Sequence, residues 1–346
     1  MDRPALDALA WYLSQFPQES SLLSGESRTL FARGRTHPVL QMLTPGTVTV
    51  WQPFYIHAQQ CLARDIPVVS NPGKETFDEI LYIGTRNREE NLNAIAHLLR
   101  ALKPQGRLVV SLENQLGAKS LEKELRKLPC AFESESKKKC RIITLRKDNG
   151  IGDIFPPPLH SEHIQSPIRC HETGYFSHPS LFGWDKIDEA SRLLTSHLPT
   201  SLERRGAELG SGYGYIACEL LERCTHPEEF FLYEIEEAGV ECTRKNIAER
   251  FPEAPFEAYW YDITQGLHQT NLDFIISNPP FHRQEKLDLT LGEAFLRRAH
   301  QALRKDGVFY LVFNQHLPYQ NLLRKLFREV RVLASTPLFT AVCATK

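Results

Sequence analysis

One pattern occurs twice in this chain. Leu272-Asp273-Phe274-Ile275 parallels Phe77-Asp78-Glu79-Ile80, 195 residues upstream. Ala302-Leu303-Arg304-Lys305-Asp306-Gly307 parallels Ala101-Leu102-Lys103-Pro104-Gln105-Gly106, 201 residues upstream, and Val308–Asn314 parallels Arg107–Asn114, 200 to 201 residues upstream. Each copy reads as an apolar strand, a helical stretch, a second strand and a charged helix. In the first copy these are a strand at Phe77–Ile83, a helix at Asn91–Leu102, a strand at Arg107–Leu112 and a helix near Ser120–Leu128. A repeat of this length marks duplication of one α/β unit.

The rest of the chain fits around the two copies. A helix is expected at Ala5–Leu13, a strand at Thr47–Tyr55, and a hairpin leading into a final strand at Lys137–Arg146. Residues 147–170, with Gly150, Gly152 and Pro156-Pro157-Pro158, show little periodicity. We therefore place a first domain at 1–150, a linker at 151–170 and a second domain at 171–346. The second half predicts a helix near Lys186–His197 and a strand-turn-helix over Gly206–Cys218. A strand at Phe230–Tyr233, a helix at Ala238–Arg250 and strands near Ala258–Tyr261 and at Leu272–Ser277 follow.

Composition removes several function classes. No apolar run approaches the roughly 20 residues of a membrane span, and the first residues carry no basic and apolar leader pattern. Eight scattered cysteines without a C-x-x-C pair point to reduced thiols in a cytoplasmic protein, not to disulfides or a zinc site. A net charge of −1 is too low for a protein that coats nucleic acid, so any RNA contact must come from local patches. Candidate phosphate contacts are Lys137, Lys138, Lys139, Arg141, Arg204, Arg205, Arg297 and Arg298.

The chemistry is concentrated at strand ends of the second copy. Glu208-Leu209-Gly210-Ser211-Gly212-Tyr213-Gly214 has three alternate glycines, which let the backbone turn sharply and approach a ligand. The spacing is not the dinucleotide G-x-G-x-x-G, and Glu208 would repel a pyrophosphate but receive an ammonium group. Glu234 ends the next strand, where an acid can accept ribose hydroxyls. Asp262 ends the one after and can accept from an adenine amino group, with Ile235 and Ile263 as apolar walls. Together these suggest S-adenosyl-L-methionine. The fourth strand ends in Asn278-Pro279-Pro280-Phe281, a stiff loop because each proline fixes φ and lacks an N–H. The Asn278 side-chain carbonyl and the Pro279 backbone carbonyl can grip the two hydrogens of a planar amino group, and Phe281 offers a face for a flat ring. These residues alone do not choose among guanine, adenine and glutamine.

The chain resembles class I S-adenosylmethionine-dependent methyltransferases of the small-domain type. Within them it is most similar to bacterial ribosomal RNA guanine-N2 methyltransferases, the RsmC type with its RlmG relatives. Asn314-Gln315-His316-Leu317-Pro318-Tyr319 looks like that family's Asn-x-x-Leu-Pro-Tyr. Glu113-Asn114-Gln115-Leu116-Gly117-Ala118-Lys119-Ser120 looks like its Glu-Asn-x-x-Gly-x-x-Ser. The resemblance implies two tandem Rossmann-like domains with mostly parallel seven-stranded sheets flanked by helices, the N-terminal copy degenerate. It implies methylation of a guanine N2 amine in 16S ribosomal RNA, within a small-subunit particle, by a cytoplasmic monomer needing no metal and releasing S-adenosyl-L-homocysteine. It carries cofactor binding onto Phe176, Glu208, Gly210, Gly212, Gly214, Glu234, Ile235, Asp262, Ile263 and Asn278. Catalysis falls on Asn278, Pro279, Pro280 and Phe281. The chain departs from the family twice. Ile187 replaces a usual glycine after Gly183-Trp184-Asp185-Lys186, leaving the roles of Asp185 and Asp188 open, and His282-Arg283-Gln284-Glu285 replaces His-Asp-Gly. Other readings are 23S rRNA guanine-N2 or adenine-N6 methylation, protein glutamine-N5 methylation, and an RNA-binding protein with a decayed site.

Overall fold

The computed structural model describes residues 3–15, 27–43, 46–69, 76–148, 167–202, 204–224, 227–280, 282–283, 286–287 and 289–346. The chain divides into two compact units, Met1–Ser166 and Pro167–Lys346. Residues 151–166 of the expected linker lie outside the described residues. Ile168–Arg169 already pairs with Phe176–Ser177 in the second unit.

The first unit contains α1 (Arg3–Gln15), β1 (Thr29–Ala32), β2 (Val48–Trp51), α2 (Tyr55–Leu62), β3 (Val68–Val69), β4 (Phe77–Ile83), α3 (Arg88–Arg100), β5 (Leu102–Glu113), α4 (Ala118–Leu125), β6 (Ala131–Lys137) and β7 (Cys140–Arg146). The second contains β8 (Ile168–Arg169), β9 (Phe176–Ser177), α5 (Glu189–Thr195), β10 (Arg205–Leu209), α6 (Tyr215–Arg223), β11 (Glu229–Glu234), α7 (Glu237–Arg250), β12 (Phe256–Trp260), β13 (Leu272–Ser277), β14 (His282–Arg283), β15 (Lys286–Leu287), α8 (Leu289–Ala302), β16 (Leu303–Asn314), α9 (Tyr319–Leu326), β17 (Glu329–Ser335) and β18 (Phe339–Thr345).

Each unit is built on a seven-stranded sheet, in the orders β3-β2-β1-β4-β5-β7-β6 and β12-β11-β10-β13-β16-β18-β17. The two orders are the same walk through the sheet. In both, six strands run in one direction and only the penultimate strand is reversed, antiparallel to both its neighbours. Such parallel sheets bury both faces under crossover helices, which explains the continuous apolar runs in β4 and β13.

The duplication extends to irregularities. Phe77 pairs with Leu102, but Glu79 pairs with Arg107; likewise Leu272 pairs with Leu303, but Phe274 pairs with Val308. Both excursions turn at a residue of positive φ, Gln105 (64°) and Asp306 (61°). The shared aspartate explains itself here. Asp78 accepts from the Arg28 N–H at 2.9 Å and Lys103 Nζ at 3.0 Å. Asp273 accepts from the Arg205 N–H at 3.1 Å and Arg304 Nε at 2.6 Å. Burial works to raise each carboxyl, but these partners prevail and hold both below the usual carboxylate range.

Some boundaries differ from those expected. Thr47–Tyr55 is not one strand, because β2 ends at Trp51 and Tyr55 opens α2. The hairpin expected at 137–146 turns on Lys138 and Lys139, both left-handed (φ 49° and 62°), the geometry of a tight two-residue turn. The antiparallel pair β17–β18 was not expected: β17 is largely exposed, and its Glu329-Val330-Arg331-Val332 alternation breaks at Leu333-Ala334.

Candidate active site

The four parallel strands β10 to β13 end side by side. At the end of β10 the chain enters the glycine loop, where Gly210, Gly212 and Gly214 have φ of 76°, 56° and 85°. A side chain in that region is strained, so the alternate glycines are a backbone requirement. The loop is pinned to the next strand: Gly210 and Ser211 N–H both donate to the Tyr233 carbonyl, at 2.8 and 3.1 Å. A Cβ on Gly239 of α7 would lie 2.6 Å from Glu234 Cγ and 2.7 Å from the Gly212 carbonyl, so this glycine lets α7 approach.

Three acids converge on the strand ends. Glu208 is buried, and its Oε2 has no hydrogen-bond partner among the described residues. Burial, then the nearby Glu234, push its carboxyl well above the usual range. Glu234 accepts from the Gly212 N–H at 2.8 Å through Oε2 and from the Glu236 N–H at 2.9 Å through Oε1. Burial raises it as well, against those backbone donors. Asp262 accepts from the Thr264 N–H at 2.9 Å through Oδ1, while its buried Oδ2 has no partner among the described residues. Two buried carboxyl oxygens without partners among the described residues, at the ends of β10 and β12, fit a ligand bearing hydrogen-bond donors. Ile263 is buried and Ile235 half-buried beside them. The Ile235 carbonyl accepts from Trp260 Nε1 at 2.8 Å, which fixes the wall at this point.

Asn278 follows β13. Its Nδ2 donates to Asp188 Oδ2 and to Ser191 Oγ, both at 2.9 Å. Asp188 is the N-cap of α5, accepting from the Ser191 N–H at 2.8 Å and from Ser191 Oγ at 3.1 Å. The helix cap thus also sets the rotamer of the amide. With Nδ2 committed, Oδ1 is a fixed acceptor with no partner among the described residues. Of the two aspartates whose roles the sequence left open, Asp188 is the one that meets Asn278. Pro279 is buried and Pro280 exposed. Phe281 lies outside the described residues, as do Gln284 and Glu285.

Phe176 is tied in through its backbone. Its N–H donates to Asn246 Oδ1 at 2.7 Å, and Asn246 Nδ2 donates to the Phe176 and Tyr213 carbonyls, each at 2.8 Å. Asn246 links β9 to the glycine loop, and no sequence signal marked it. The Phe176 ring packs under Lys245 Nζ (3.9 Å) and Arg169 (4.3 Å).

The first copy is built differently at each equivalent place. Thr29 pairs with Glu79 as Gly206 pairs with Phe274, so Phe31 stands where Glu208 stands and Arg33 where Gly210 stands. By the same register Gln52 replaces Glu234, donating to the Gly34 carbonyl at 2.7 Å. Arg33 forms a largely buried ion pair with Glu90 at 2.6 Å, filling the region from within.

The candidate phosphate contacts fare unevenly. Arg141 and Arg205 are ion-paired with Glu122 and Glu229, and Arg298 donates to the Thr264 carbonyl at 2.6 Å. Lys137 lies over the Trp11 ring at 4.6 Å. Lys138 and Lys139 are exposed at the hairpin tip. Among the described residues no cluster of three His, Cys, Asp or Glu could hold a metal, and no helix is long and apolar enough to cross a membrane.

Residues 172–342 match the family described as methyltransferase small domain. The second unit belongs to that family. Ribosomal RNA large subunit methyltransferase G of Pseudomonas putida is 33% identical over 172 residues, 49% of this chain and 46% of that protein, so the match spans about half of the relative's length. Ribosomal RNA small subunit methyltransferase C of Haemophilus influenzae is 26% identical over 326 residues, 92% of this chain and 94% of that one. Among solved structures, T. thermophilus 16S rRNA N2 methyltransferase RsmC, in complex with AdoMet and guanosine, superposes with a TM-score of 0.77 at 22% identity. The superposition covers 99% of this chain and 92% of that one. The architecture is therefore the tandem Rossmann-like methyltransferase fold, with the degenerate copy first.

Proposed function

We propose that the chain transfers a methyl group from S-adenosyl-L-methionine to the N2 amine of a guanine in 16S ribosomal RNA. The observation that carries this reading is the Asn278 amide, whose Nδ2 is held by Asp188 and Ser191, which leaves Oδ1 as a fixed acceptor. Held in this site, S-adenosyl-L-methionine would supply an electrophilic methyl on its sulfonium; the S–CH3 bond would break as the N–CH3 bond forms, S-adenosyl-L-homocysteine would leave, and the methylated nitrogen would give up one proton to solvent. Glu208 receives its ammonium, Glu234 its ribose hydroxyls and Asp262 its adenine amine, with Ile235 and Ile263 against the adenine. The glycines at 210, 212 and 214 admit the backbone to contact distance. Phe176, through Asn246, closes the entry over the methionine end.

An aromatic amine is a poor nucleophile because its lone pair is delocalised into the ring. Asn278 Oδ1 and the Pro279 carbonyl accept its two N–H bonds, which favours a pyramidal nitrogen and aims the lone pair. Pro280 stiffens the loop and Phe281 packs on the base, replacing stacking lost when the nucleotide leaves its helix. Positioning supplies most of the rate, and no metal is needed. The first domain helps to hold RNA or steadies the second. We place the protein in the cytoplasm as a monomer acting on a small-subunit particle. Mass spectrometry of ribosomal RNA nucleosides from a strain lacking the protein tests the reading. N2-methylguanosine is expected to fall by one site, and an unchanged level defeats it.

Two variants test the site itself. Asp188→Ala is expected to lower kcat roughly 10-fold or more through misorientation of Asn278, with cofactor affinity unchanged, and to cost about 1 kcal/mol of stability for the lost cap. Asp188→Asn, which keeps an acceptor, should recover much of both; equal damage by the two variants would refute the orienting role. Glu208→Gln separates function from stability. The Glu208 carboxyl keeps its proton to higher pH when folded than when unfolded, so stability falls as pH rises through that window. The variant should melt higher than wild type at pH 8 but not at pH 4, while binding S-adenosyl-L-methionine about 10-fold or more weakly by calorimetry.

A further inference from the structure

Strand β16 runs past the site and beyond it. It pairs with β13 at Ser277 opposite Leu311 and continues to Asn314, which faces Phe339 at the start of β18. With about 3.3 Å per residue and about 4.8 Å between strands, Asn314 lies on the order of 8 Å from Asn278 along one sheet edge. There the chain turns, and the Leu317 N–H donates to the Asn314 carbonyl at 2.9 Å. Gln315 fastens this turn to the β17–β18 loop. Its backbone N–H donates to the Leu338 carbonyl at 2.8 Å. In the amide orientation that satisfies both its ends, its side chain donates to the Thr336 and Pro337 carbonyls at 3.0 Å.

Between the two loops lies an open recess of about 480 Å³ lined by Asn314, Gln315, His316, Pro337, Leu338 and Phe339. Leu338, whose carbonyl is held by Gln315, leaves its side chain 61% exposed beside the recess. The Asn314 amide and the His316 ring have no hydrogen-bond partner among the described residues. The lining holds no lysine, arginine or acid, so it selects neither a phosphate nor an amine. It offers instead an apolar wall, an imidazole that can stack and a carboxamide that can pair with a base edge. Single-stranded RNA bases are held by this combination of groups.

We infer that this recess holds the unpaired nucleobase adjacent to the target nucleotide; the inference rests on the RNA-methylation reading above. The gripped amine at Asn278 and the recess are about one nucleotide step apart. Seating the neighbour keeps the strand splayed while the target base is held at the Asn278 loop.

The test uses the full chain and RNA oligonucleotides spanning the methylated guanine found by nucleoside mapping, intact or with an abasic sugar immediately 5′ or 3′ of it. For wild type, one of the two abasic positions is expected to weaken binding about 10-fold. The Asn314→Ala/Leu338→Ala variant should bind intact RNA as weakly as wild type binds that abasic RNA, should no longer discriminate, and should keep its affinity for S-adenosyl-L-methionine. A variant that discriminates as wild type does overturns the inference, as does indifference of wild type to both abasic positions in an oligonucleotide that it methylates, while methylation itself still stands. Weakened binding to assembled small subunits with unchanged binding to the oligonucleotide would show a protein docking there and would equally overturn it. Failure of wild type to methylate ribosomal RNA at all would instead mark failure of the parent reading.

Discussion

Asn278→Ala is expected to lower kcat about 100- to 1,000-fold, the range for removing one fixed hydrogen-bonding group from a reacting centre, with the dissociation constant for S-adenosyl-L-methionine within about twofold. The argument is geometric. Asp188 and Ser191 hold Nδ2 at 2.9 Å each, so Oδ1 points at one place only and waits there before the amine arrives. Alanine removes that acceptor and leaves the cofactor acids untouched. Asn278→Asp is an instructive companion, because it sets a carboxylate against Asp188 and should be at least as inactive while also disturbing α5. Single-turnover kinetics with saturating cofactor measures both. Retention of more than a tenth of the wild-type rate by Asn278→Ala would remove Asn278 from the reaction.

The largest expected effect on stability lies in the first unit. Arg107 Nε donates to Glu79 Oε1 at 2.7 Å, and both side chains are almost wholly buried. Burial pushes the Glu79 carboxyl up, against the pull of Arg107. Removing one partner of such a pair strands the other in the core, at a cost of about 3–5 kcal/mol. Glu79→Ala is therefore expected to lower the melting temperature of the first unit by about 10 °C. The transition of the second unit, which under the proposed function S-adenosyl-L-methionine is expected to raise, should stay in place. Glu79→Leu combined with Arg107→Met, which replaces both charges by apolar volume, should restore most of the loss. The second unit carries the apolar solution already, with Phe274 and Val308 at these register positions. Phenylalanine itself would not serve at 79: Phe274 packs where a Cβ on Gly206 would be 1.9 Å from its ring, and the first unit has Thr29 there. Equal melting of Glu79→Ala and wild type would show that the pair contributes nothing.

What could be read in the chain was local. Three alternate glycines demand left-handed backbone, and they have it. Acids at successive strand ends announce a polar rim, and the spacing of apolar residues set β4 and β13 to the residue. The repeated Phe-Asp and Leu-Asp pairs announced the duplication, because each aspartate accepts from equivalent backbone and side-chain donors at the base of the same strand. The boundary of β2 was overestimated, since Tyr55 belongs by residue type to either strand or helix and only packing assigns it.

What the sequence by itself determined is thus the α/β class, the duplication and the loop chemistry of the second copy. Each depends on residues a few positions apart, whose φ, period or charge acts before any tertiary contact forms. Only the tertiary structure decided that Asp188, 90 residues before Asn278, orients its amide. It alone put Phe31, Arg33 and Gln52 at the positions of Glu208, Gly210 and Glu234. Those assignments depend on strand register and on a helix cap meeting a strand end. Both arise from packing a sheet between helices, and no short stretch of sequence encodes them alone.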